Sequence, residues 1–62
     1  VLSNKETKVL ELISKGLTTK EIASQLFLST RTIETHRTNI LKKFEVKNTA
    51  ELIKKATELN II

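Results

Sequence analysis

The chain has no cysteine, proline, tryptophan or tyrosine, and only one glycine, in 62 residues. Without cysteine there is no disulfide staple and no thiolate metal site. With no proline and only Gly16 to interrupt it, the backbone is free to be helical. No segment alternates apolar and polar residues strictly enough to compete as a strand. The only aromatics are Phe27 and Phe44. Both fall at apolar positions of the pattern, which leaves no exposed ring for single-stranded nucleic acid to stack on. No apolar run approaches the roughly 18 residues of a membrane span, and no signal-peptide pattern opens the sequence. The expected location is therefore the cytoplasm. Aspartate is absent too: seven Glu face eleven Lys and Arg, for a net charge of +4 and a pI near 9.7. A basic balance suits a polyanion such as nucleic acid or an anionic membrane surface, although mild basicity also serves plain solubility.

What is present is helical periodicity with capping signals. Residues 1–62 make one small domain, without repeats or linkers, and a chain this short buries only about 60% of its unfolded surface. Ser3 and Glu6 form a capping-box pattern at the head of a first helix, about 4–15. Val9, Leu10 and Ile13 recur along it at helical spacing, and Gly16 stands where a left-handed cap is expected. Thr18 and Glu21 open a second helix, about 19–26, with Ile22, Ala23 and Leu26 as its inner stripe. Phe27-Leu28-Ser29 makes a turn, and Ser29 caps a third helix, about 30–44. Asn48 and Glu51 form a further capping-box pattern before a fourth helix, about 49–59, striped by Leu52, Ala56 and Leu59 with Ile53 alongside. The fold class is all-α: a four-helix domain containing a helix-turn-helix, whose second element can enter the major groove of DNA.

On a wheel of about 100° per residue, Ile33, Ile40 and Phe44 share a narrow arc of the third helix, with Leu41 at its edge. The opposite face carries Arg31, Thr35, Thr38 and Lys42, flanked by Thr32, Glu34 and Asn39. A plainly solvated helix face favours Glu, Lys, Gln and Ala. The threonines at 30, 32, 35 and 38 are poor helix formers, because β-branching restricts their rotamers. Their use on an exposed face points to side chains that meet a partner. Threonine offers a base or phosphate its hydroxyl, and a thymine its methyl group. Glu34 is repelled by phosphates but can accept from cytosine N4; a helix-surface pair with Arg31, or rejection of wrong sequences, is the alternative. Base contacts are expected from Arg31, Glu34, Thr35 and Thr38.

Contacts to the DNA backbone are expected from helix N-termini and rim residues: Lys20, Ser29, Thr32, His36 and Lys42. Lys5, Lys8, Lys15, Lys54 and Lys55 fall on outer faces, where solubility explains them. Arg37 and Glu6 fall on core sides of their helices. Arg37 is expected either to pair with Glu6 or Glu21, or to pack its stem while its head reaches phosphate; Lys43 competes for Glu6. His36 is the only histidine. With no cysteine or aspartate beside it, it makes neither a metal site nor a catalytic pair, and a hydrogen-bonded role at a helix–helix or helix–phosphate boundary is expected.

The residues Leu2-Ser3-x-x-Glu6, Gly16-Leu17-Thr18-x-Lys20-Glu21-Ile22-Ala23 and Leu28-Ser29-x-x-Thr32-Ile33-x-x-His36-x-x-Asn39-Ile40-x-x-Lys43 carry a resemblance, joined by Val46-Lys47-Asn48 and Glu51-Leu52. The chain resembles, over its whole length, the LuxR-type helix-turn-helix domain (the LuxR, GerE, FixJ and NarL group) of bacterial transcriptional regulators. That resemblance implies the C-terminal output domain of a longer protein, often behind a phosphorylated receiver or a ligand-sensing domain. It implies double-stranded DNA as partner, a homodimer on DNA through the fourth helix, and base contacts at Glu34, Thr35 and Thr38. RNA polymerase is a further candidate partner. No cofactor and no enzymatic activity are implied. The chain departs from the family pattern at Glu45 and Asn60, where glycine is frequent, and at Thr49, where arginine is common. The competing readings are a sigma-factor-like promoter-recognition module, which shares the Lys-Glu-Ile-Ala and Ser-x-x-Thr-Ile pieces, and a helical protein-interaction module. An enzyme lacks a nucleophile–base pair, a metal set and enough chain for a pocket.

Overall fold

The computed structural model describes residues 2–62 and contains four α-helices: α1 (Asn4–Ser14), α2 (Thr19–Leu26), α3 (Thr30–Phe44) and α4 (Thr49–Glu58). The helix starts follow from local chemistry. Ser3 Oγ accepts from the Glu6 N–H at 3.2 Å, and Glu6 Oε1 accepts from the Ser3 N–H at 3.0 Å. Thr18 and Glu21 make the same reciprocal pair at 3.2 and 2.8 Å. Each box satisfies two backbone donors that the first turn leaves without intrahelical partners. Ser29 caps α3 by accepting from the Thr32 N–H at 3.1 Å. At α4 the expected box is only half made. Asn48 Oδ1 accepts from the Glu51 N–H at 2.9 Å, but Glu51 reaches past Asn48 to the Lys47 N–H at 3.3 Å.

All four helices end the same way. A residue turns left-handed after the last turn: Gly16 at φ 88°, Phe27 at 56°, Glu45 at 57° and Asn60 at 57°. The following N–H then reaches back to a carbonyl five residues earlier: Leu17 to Leu12, Leu28 to Ala23, Val46 to Leu41 and Ile61 to Ala56, at 2.9–3.3 Å. Each of those four pairs is apolar at both ends, the usual companion of this exit.

One of these exits overturns an expectation. Phe44 is buried, but Phe27 is 94% exposed. At the α2 exit the apolar contact belongs to Leu28, one residue on, and the left-handed residue itself projects outward. One ring is still not the series of platforms a single-strand binder uses.

The helices enclose one core. Val9, Leu10, Ile22, Ile33, Ile40 and Leu52 are its fully buried large side chains. Burial of an aliphatic side chain of this size contributes about 1.5–3 kcal/mol. α3 is the central element and packs against α1, α2 and α4. Leu59, expected in the α4 stripe, is 57% exposed, because the helix ends before it and the next turn carries it away from the core.

Polar ties lock α3 against its neighbours. Lys43 Nζ donates to Glu6 Oε1 at 2.7 Å, joining α3 to α1. Glu6 is buried, and its carboxyl is lowered from 4.5 to about 2 by the Lys43 ammonium and by the Ser3 N–H. Arg37 has neither of the carboxylate partners expected for it. Its Nη1 donates to Thr19 Oγ1 at 2.9 Å and its Nη2 to Thr49 Oγ1 at 2.6 Å, the first residues of α2 and α4. Lys43 wins Glu6, and Glu21 is occupied with its own cap. Lys55 is not a solvent lysine either. It is half-buried and donates to the Phe44 carbonyl at 2.8 Å, where a cation also favours the negative end of α3.

Candidate nucleic-acid interface

With its inner face buried and its C-terminal end tied to α1 and α4, α3 presents a rigid outer face. Arg31, Glu34, Thr35, Thr38 and Asn39 line one shallow groove of about 320 Å³, and all of them are exposed. The four residues expected to meet bases are therefore brought together. Asn39 joins them from the flank of the wheel. Its amide suits bidentate recognition of adenine, and its position four residues after Thr35 was the signal for it.

The threonines on this face are internally braced. Thr35 Oγ1 donates to the Arg31 carbonyl and Thr38 Oγ1 to the Glu34 carbonyl, each at 3.0 Å. Back-bonding of this kind slightly destabilises a helix, so it does not repay the propensity cost of the two threonines. It also sets the chemistry on offer. The hydroxyl proton is used within the helix, so each threonine has acceptor lone pairs and a methyl group left, complementary to base amino groups and to thymine methyls.

The residues expected at the DNA backbone are spread around this groove. Lys20, at the start of α2, and Lys42, near the end of α3, are exposed. Ser29 and Thr32 hydroxyls lie 2.9 Å apart, with Ser29 also serving as the α3 cap. Those groups are already engaged with each other, which leaves them lone pairs and the first-turn N–H groups for an anion. His36 is half-buried, and among the described residues its ring has no hydrogen-bond partner within the domain, so of the two boundary roles expected for it the helix–helix one is not made. Among the described residues no cluster of His, Cys, Asp or Glu has the makings of a metal site, and no helix is long and apolar enough to cross a membrane.

A capped α2, a left-handed turn and an α3 with a polar outer face make a helix-turn-helix. The family model described as bacterial regulatory proteins, luxR family, matches residues 1–56. The chain belongs to the luxR family. Within that family of DNA-binding transcription regulators, the chain is 50% identical over 60 residues to an uncharacterized response regulatory protein, YgeK, of Escherichia coli (strain K12), covering 97% of this chain and 41% of that protein. It is 40% identical over 62 residues to the oxygen regulatory protein NreC of Staphylococcus carnosus (strain TM300), covering all of this chain and 29% of NreC. Among solved structures it resembles the response regulator ChrA of a heme-sensing two-component system, with a TM-score of 0.94, 32% identity, and coverage of 100% of this chain and 31% of ChrA. The chain thus spans well under half the length of these luxR-family relatives.

Proposed function

We propose that the domain binds double-stranded DNA in a sequence-specific way to regulate transcription, with α3 lying in the major groove. The supporting observation is the outer face of α3, where Arg31, Glu34, Thr35, Thr38 and Asn39 share one exposed groove on a helix held rigidly from behind. Arg31, Glu34, Thr35 and Thr38 read base edges. Lys20, Ser29, Thr32, His36 and Lys42 position the helix on the sugar–phosphate backbone. The likeness to response regulators supports an output domain at the C-terminal end of a longer regulator, with RNA polymerase as a partner of the whole protein. Membership of the luxR family supports a homodimer on DNA through α4.

Selection of bound duplexes from a random pool tests this reading. An inverted repeat is the expected outcome; a pool that stays random removes the sequence-specific claim. On the selected site Thr35→Ala is expected to cost about 1–3 kcal/mol and to relax preference at one position. Lys20→Ala is expected to weaken all sequences alike and to lower the salt slope by about 1. Equal losses for both variants on selected and random DNA would remove the division between base readers and backbone residues.

A further inference from the structure

We propose that Arg37 is a pre-set phosphate clamp: its guanidinium, pinned by Thr19 and Thr49, holds a phosphodiester of the DNA backbone at the edge of the α3 groove. The inference rests on the DNA-binding reading above and adds a residue that reading does not use.

The first observation is a charge without a counterion. Arg37 is half-buried, and both of its hydrogen-bond acceptors, Thr19 Oγ1 at 2.9 Å and Thr49 Oγ1 at 2.6 Å, are neutral hydroxyls. The ion pairs among the described residues are Lys8–Glu11 and Lys43–Glu6, and neither involves Arg37. Glu34, one turn earlier on α3, shares a groove with Arg37 without coming within ion-pair distance, and Glu21 is committed to the Thr18 N–H. A partly desolvated cation held by neutral groups keeps its full attraction for an external anion.

The second observation is where that cation stands. Arg37 lines an open groove of about 250 Å³ with Glu34, Thr38 and Leu41. Glu34 and Thr38 also belong to the groove proposed to face the bases. Arg37 therefore borders the reading face, on the side along which the backbone of a groove-bound duplex would pass. Two hydroxyls occupy two of its five N–H donors, which leaves three for phosphate oxygens. The fork is also pinned in advance from two other helices, so little side-chain freedom remains to be lost on binding.

The rival reading is a purely structural crosslink of α2, α3 and α4. A salt titration separates the two, with binding to a random-sequence duplex followed by fluorescence anisotropy. A clamp requires Arg37→Gln to reduce the slope of log affinity against log salt by about 1, with affinity falling on the order of tenfold. Arg37→Lys and Thr49→Val keep the charge, so both should keep the wild-type slope while weakening binding. An unchanged slope in Arg37→Gln overturns the clamp and leaves the crosslink. Should Arg37→Gln lose its helical circular dichroism, the wild-type protein decides instead. Its Arg37 guanidinium 15N resonances should shift on adding duplex, and resonances that stay put overturn the proposal. Wild-type protein with no salt-dependent affinity for duplex would remove the DNA-binding reading itself, a different result from a bound duplex with an unaltered slope.

Discussion

Two long cationic side chains leave α3 toward its neighbours and end in opposite electrostatic situations. Lys43 meets a buried carboxylate on α1, which it neutralises at 2.7 Å. Arg37 meets two neutral hydroxyls, one on α2 and one on α4. The Lys43 tie uses charge to hold the fold together. The Arg37 tie holds the fold with hydrogen bonds and leaves the charge available. The pairing was chosen by where the partners lie, because either cation is chemically competent to bind Glu6.

The largest expected effect comes from breaking the neutralised tie. Glu6→Gln is expected to cost about 2 kcal/mol of stability, after discounting for the solvent around the half-exposed Lys43, as read by urea denaturation. The Glu6 carboxyl is lowered on folding from 4.5 to about 2, so its contribution is complete above pH 4.5 and disappears as pH falls through about 2. The wild-type stability curve should therefore fall across that acid window, and the Glu6→Gln curve should be flatter there. If the two curves ran parallel, the Lys43–Glu6 pair would not be the source of the acid sensitivity. At neutral pH Glu6→Gln should leave the salt slope of DNA binding intact, in contrast to Arg37→Gln.

The four helix exits sharpen the comparison on a smaller scale, because they share one geometry across four residue types. Left-handed backbone is open to glycine at no steric cost and disfavoured for other residues by about 1–2 kcal/mol. A Cβ at Gly16 would meet nothing within 4 Å, so Gly16→Ala isolates the backbone cost, a loss of about 1 kcal/mol. Glu45→Gly and Phe27→Gly should go the other way, each gaining about 0.5–1 kcal/mol in thermal or urea denaturation. A loss on Phe27→Gly would mean that the exposed ring has an intramolecular role. The smallest effect is expected from Lys55→Met, which removes a cation from the end of α3 and should cost about 0.5 kcal/mol.

Much of this was legible in the sequence, for reasons of range. The caps at Ser3, Thr18 and Ser29 depend on groups three residues apart, so residue order alone dictates them. The wheel placed Ile33, Ile40 and Phe44 inward and Arg31, Thr35 and Thr38 outward, because a helix of fixed pitch leaves no other choice. Phe27 was misread because apolar character stood in for burial, whereas the left-handed exit of α2 turns its own residue outward and packs the next one, Leu28, against the core. Glu51 was misread by one residue, since a flexible carboxylate can reach Lys47 as easily as Asn48.

By itself the sequence determined the all-helical class, the helix bounds to within a residue, the luxR-type pattern and the polar face of α3. All of these follow from interactions within a few residues or from a fixed helical period. Tertiary structure alone decided which cation takes Glu6, that Arg37 ends on Thr19 and Thr49, and that Lys55 closes α3. These pairings join residues 11–37 positions apart, and only the packing of the helices brings their atoms within bonding distance.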